Sequence, residues 1–154
     1  MSEPTSLQRV QSTVTLNAAL ATLAGARMEA ESRGRALAMV VVDPGGNVVA
    51  SQRMDGAQLV AMELATDKAY TAVACGEPTE LWAECTQPGN SDWGLALSAG
   101  GRFIVFAGGS PLKVDGVVVG ALGISGGPSE IDRACGVAGI VSAGFEAVWR
   151  RQTW

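Results

Sequence analysis

Histidine is absent from these 154 residues. Its absence excludes Ser-His-Asp and Cys-His catalysis, His-based zinc sites and His-ligated haem. Acid–base work in this chain therefore falls to Asp, Glu, Lys, Tyr or Cys. Cysteine is scarce as well. Cys75, Cys85 and Cys135 are odd in number and show no C-x-x-C spacing, so they read as small buried hydrophobes. Cys85 is the one candidate for a reactive thiol, but the neighbouring Glu84 carboxylate would raise its pKa rather than lower it. Positive charge is also in short supply, with 11 Lys and Arg against 15 Asp and Glu and a net charge of −4. Without a basic footprint, nucleic acid is not an expected partner. No stretch approaches the roughly 20 apolar residues of a membrane helix. The opening MSEPTSLQRV carries an acid and no apolar h-region, unlike a signal peptide. The expected compartment is the cytoplasm.

What is present suits a compact globule. Hydrophobic residues make up 47% and charged residues 17%, far from a disordered composition. Residues 1–154 fit one domain, large enough to bury about 68–70% of the unfolded surface without staples.

Punctuation divides the chain cleanly. A helix is predicted from about Ser6 to Ser32, ending beyond Gly25. Ala36 to Val42 is an apolar, β-branched run, and Val48 to Met54 is a second strand. Asp43-Pro44-Gly45-Gly46-Asn47 between them is concentrated turn chemistry. Ala57 to Cys75 has helical spacing and stops at Gly76-Glu77-Pro78. Thr79 is placed to cap a short helix through Glu84. A loop over Gln87–Asp92 follows, with Trp93 as a lid or as an edge of the core. Strands are predicted at 102–106, 111–114 and 117–124. A last amphipathic helix is predicted from Ser129 to about Arg151. The fold class is α+β, a three-layer α/β/α sandwich on an antiparallel sheet.

The most informative segment is FIVFAGGSPLKVDGVVVGALGISGGPS, Phe103 to Ser129. Asp115-Gly116 between apolar strands signals a type I′ hairpin. The hairpin can bring Gly108-Gly109 and Gly126-Gly127 to one end of the sheet. Gly126-Gly127 also leads into a helix start, where bare amides and the helix dipole suit an anion. Read blandly, both pairs are turns that need positive φ and hold no ligand.

Four segments, VVDPGGNVVASQRMDGA, ATDKAYTAVACGEPTEL, GGSPL and DGVVVGALGISGGPSEID, resemble the GlcG/HbpS family, also met as the C-terminal domain of PduO-type proteins. They cover nearly the whole chain in the right order. The resemblance implies a profilin-like, five-stranded antiparallel sheet and a homo-oligomer. It implies haem as a cofactor in some relatives and association with corrinoid enzymes or degradation operons in others. Haem, if held here, would need an oxygen, Cys or Met ligand.

Lys68 heads the candidate catalytic residues. No acid stands at i±3 or i±4 on its helix, so it is either solvated or an ammonium facing the pocket. Glu63 and Asp67 are spaced i, i+4. They either face water or are held by Arg53 from the preceding strand, or one of them acts as a general acid. Asp132, three residues after Ser129, either caps the last helix or joins the pocket. The candidate ligand-binding set is Arg53, Thr71, Gly108, Gly109, Pro111, Ser125, Gly126, Gly127 and Asp132, with no metal ligands. Two functions follow: a small-ligand-binding protein taking an acidic molecule or a tetrapyrrole, or a metal-free lyase, isomerase or dehydratase. In the second, Lys68 moves a proton with Asp67 or Glu63 while the Gly126-Gly127 amides stabilise an oxyanion.

Overall fold

Helix α1 (Leu16–Ser32) starts where the sequence first offers a cap. The Thr15 hydroxyl accepts from the Ala18 N–H at 3.2 Å, satisfying one of the donors a helix start leaves bare. The computed structural model describes residues 7–147. Of the helix expected from Ser6, residues 8–15 are not helical, because the strand Val117–Ser125 claims this backbone: the Val14 N–H donates to the Val119 carbonyl at 2.7 Å.

Strands β1 (Ala38–Val42) and β2 (Val48–Arg53) form a hairpin. Its turn is held by Asp43, whose Oδ1 accepts from the N–H groups of Gly45 and Asn47 at 2.9 and 3.0 Å. Helix α2 (Ala61–Cys75) ends at Gly76, which adopts φ 69°, a left-handed close that glycine favours. Strands β3 (Gly109–Val114) and β4 (Val117–Ser125) meet at Asp115 and Gly116. Both turn residues have positive φ, 50° and 75°, as a type I′ turn demands. Helix α3 (Ser129–Ser142) is shorter than the predicted run. Gly144 at φ 87° closes it, with the Phe145 N–H on the Ile140 carbonyl and the Gly144 N–H on Val141, a Schellman ending. The remainder of the predicted helix, Val148 to Arg151, lies outside the described residues.

The sheet is antiparallel in the order β2-β1-β4-β3. It has four strands among the described residues, not five. The expected strand at 102–106 is irregular because side chains of α2 and of the turn after it take its backbone groups. The Thr71 hydroxyl lies 3.1 Å from the Arg102 carbonyl and accepts from the Ile104 N–H at 3.0 Å. Thr79 does not cap the short 3₁₀ turn Thr79–Trp82; its hydroxyl donates to the Phe106 carbonyl at 2.6 Å and accepts from the Gly109 N–H.

Alternation across the central strands creates two cores. Met39, Val41, Leu122 and Ile124 face α1 and α3, meeting Leu23, Ala26, Cys135 and Ile140. Ala38, Val40, Val42 and Ala121 face α2 through Ala61, Ala65, Ala69 and Ala72. Three layers result. The α2 seam is unusually thin because it is built from alanine and glycine. Gly109 and Gly123 are register partners on β3 and β4, and a Cβ on either would run into α2 backbone, at the Lys68 and Ala65 carbonyls respectively.

Gly123→Ala is therefore expected to lose about 1–3 kcal/mol through overpacking. Urea unfolding checks this, and an unchanged midpoint would mean that the seam has slack.

Candidate functional site

Lys68 projects from the middle of α2 toward the end of β4, and Asp132 reaches the same place from the first turn of α3. The two helices cover opposite faces of the sheet, so the residues meet around its rim. Lys68 Nζ donates to the Ile124 carbonyl at 2.8 Å and to Asp132 Oδ2 at 2.9 Å. Their side chains are 1% and 3% exposed. The other carboxylate oxygen, Oδ1, accepts from the Gly127 N–H at 3.0 Å. An ammonium has three donors, and this geometry uses two of them. The Phe106 ring packs over Nζ with its centroid 5.0 Å away, within cation–π range.

Backbone conformation makes the approach feasible. Gly108 adopts φ 122°, and a Cβ there would overlap the Ile124 carbonyl and come within 2.8 Å of Nζ. Gly126, at φ 120°, turns the chain out of β4 so that the Gly127 amide faces Asp132. The carboxylate also lies near the positive end of α3, which favours an anion.

Burial dominates the electrostatics of the pair. It lowers the Lys68 amine below the usual lysine value and raises the Asp132 carboxyl above the usual carboxylate value. Their mutual hydrogen bond and attraction oppose both shifts. Desolvation thus weakens the preference for the charged pair over a neutral amine and carboxylic acid.

A cavity of about 390 Å³ opens beside the pair. Its wall includes Lys68, Asp132, Ser125, Gly126 and Gly127, together with Arg35 and Phe106. Larger clefts exist, including an apolar one of about 430 Å³ between Val14, Val119 and Phe145 and one of about 550 Å³ beside Arg27 and Arg53. Neither is lined by the buried pair.

Not all the candidate residues gather here. Glu63 is exposed in the first turn of α2. Asp67 pairs with Arg102 at 2.9 Å, not with Arg53, and the Arg102 guanidinium stacks 3.9 Å from the Tyr70 ring centroid. Arg53 is exposed on edge strand β2 in another cleft. Thr71 is buried against the 102–104 backbone. Pro111 is buried in β3 opposite Ala121. Gly108 lies against Lys68, and the Gly109 amide goes to Thr79. The Gly127 amide is not bare either, since Asp132 occupies it. Asp132 makes no side-chain cap to Ser129, and Pro128 holds the N-cap position. Trp93 is 66% exposed and does not line this cavity. Sequence reasoning missed Arg35, Phe106 and Arg102. Only the closed sheet brings Arg35, just ahead of β1, beside the end of β4.

The family model described as "Haem degrading protein HbpS-like" matches residues 14–141. The chain belongs to the HbpS-like family. An uncharacterised 15.0 kDa protein from the dhaT-dhaS intergenic region of Citrobacter freundii is 43% identical over 93 residues. That match covers 60% of this chain and 66% of the relative. The corrinoid adenosyltransferase PduO of Salmonella typhimurium is 42% identical over 92 residues, 60% of this chain but 27% of PduO. The chain thus spans about two thirds of the first relative's length and about a quarter of the second's. The crystal structure of the PduOC–haem complex superposes with a TM-score of 0.85 at 31% identity, covering 89% of this chain and 99% of that one.

Two outcomes follow from this geometry. Lys68→Met should cost about 3–5 kcal/mol by stranding a buried carboxylate, and the double variant Lys68→Met/Asp132→Leu should recover part of that loss in urea unfolding. The fully buried Cys135 thiol, pushed up to about 11 by burial, should stay unreactive toward a thiol reagent at pH 8 until the protein unfolds.

Proposed function

We propose that this HbpS-like protein binds a small acidic molecule in the cavity beside Lys68 and Asp132. The observation that carries this reading is the charge and hydrogen-bond balance of the cavity wall. Lys68 and Asp132 offset one another, while Arg35 has no carboxylate partner among the described residues. The wall is therefore left with net positive character. Ser125 is 3% exposed, and its hydroxyl has no hydrogen-bond partner among the described residues. A hydroxyl with no partner in the chain is free to donate to a ligand oxygen. Together, guanidinium and hydroxyl suit a carboxylate, within a volume that limits the ligand to metabolite size.

Haem is the ligand of the PduOC complex, and the wall of this cavity fits it poorly. No His, Cys, Met or Tyr lines it. We therefore derive no chemistry from an iron centre here. We also propose self-association, which the family resemblance implies. Light scattering on the purified protein tests that part.

Ligand binding is tested by calorimetry with small mono- and dicarboxylates. A saturable signal should weaken about 10- to 100-fold in Arg35→Ala, the range for a lost charge-assisted hydrogen bond, and should fall with added salt. A haem Soret shift abolished by Asp132→Asn would assign the cavity to haem instead and overturn the reading.

A further inference from the structure

The geometry points to Lys68 as an imine-forming amine, which makes the cavity a site for small oxo acids, with Asp132 as the proton carrier. This rests on the carboxylate-binding reading above and adds the chemistry of the second functional group. The chain has two lysines, Lys68 and Lys113, among its 11 cationic residues. Lys68 stands in the wall of the cavity; Lys113, also buried, does not line it. An amine with Nζ 2.9 Å from a carboxylate is set up to pass its proton across and become a nucleophile. Burial of both groups lowers the cost of that neutral state.

The same wall carries Arg35 and Ser125 for a carboxylate. A ligand satisfying both ends carries a carbonyl close to an acid group. The size of the cavity favours a 2- or 3-oxo acid over a long-chain aldehyde.

The step balances within the pair. The Lys68 ammonium gives a proton to Asp132, and neutral Nζ attacks the carbonyl carbon. A C–N bond forms as the carbonyl π electrons move to oxygen, and proton transfer from nitrogen to that oxygen gives a neutral carbinolamine. Asp132 then protonates the hydroxyl, which leaves as water, giving a protonated imine beside the Asp132 carboxylate. Water reverses the sequence. No oxidant, metal or further reactant is needed. Phe106, packed over Nζ and 43% exposed, is the side chain whose displacement would open the amine to the cavity.

The test is reductive trapping on the full chain. Glyoxylate, pyruvate and 2-oxoglutarate are each incubated with the protein and sodium cyanoborohydride, and intact mass and peptide mapping locate the adduct. The expected result is one adduct, on Lys68, formed with at least one of these acids about tenfold faster than with acetone and slowed about tenfold by Arg35→Ala. Thermal denaturation with the same acids, without reductant, is run in parallel. A rise in melting temperature that depends on Arg35, with no adduct on Lys68, would overturn the imine and leave carboxylate binding standing. Neither a rise nor an adduct would remove both. Labelling confined to Lys113 or the terminal amine would also overturn the proposal.

Discussion

Everything at the rim of this sheet depends on one charged pair held in low dielectric. Lys68 rises from the layer on one face and Asp132 descends from the layer on the other. They close over the Ile124 carbonyl at the end of the central strand β4. A buried ion pair is rarely a net source of stability, because desolving two charges offsets much of their attraction. Its value here is geometric. It ties α2 to α3 across the sheet edge, completes the hydrogen bonding of the Gly127 amide, and places an amine and a carboxyl beside a cavity.

The glycines make that pair affordable in space rather than supplying an anion hole themselves. Gly108 leaves room for the lysine stem and the Ile124 carbonyl, and Gly126 redirects the chain so that one amide meets Asp132. The protein's own carboxylate sits where an external anion was expected. What remains for a ligand is the neighbouring surface formed by Arg35 and Ser125.

Much of the fold was legible because it is written in local chemistry. The Asp115-Gly116 turn, the Asp43–Asn47 turn, the Gly76 stop and the three-layer alternation all rest on backbone rules that act over a few residues. The fifth strand failed because hydroxyls of Thr71 and Thr79 captured the backbone of 102–106, a tertiary competition that strand propensity does not register. Lys68 stood out in the sequence through its lack of a helical partner. Its actual partner lies 64 positions away, beyond any spacing rule. Asp132 was read as either a cap for the last helix or a pocket residue; no side-chain cap forms at that helix start, and the carboxylate goes to Lys68 and the Gly127 amide. Arg35 gave no signal at all, since a basic residue ahead of a strand is ordinary until the sheet closes.

The seam of alanines and glycines under α2 has a further consequence. Side chains there cannot grow without lifting the helix, and lifting the helix would draw the amine away from its carboxyl. Packing errors in a region with no ligand would therefore appear as altered proton affinity at the rim. Chemistry and scaffold in this protein cannot drift independently.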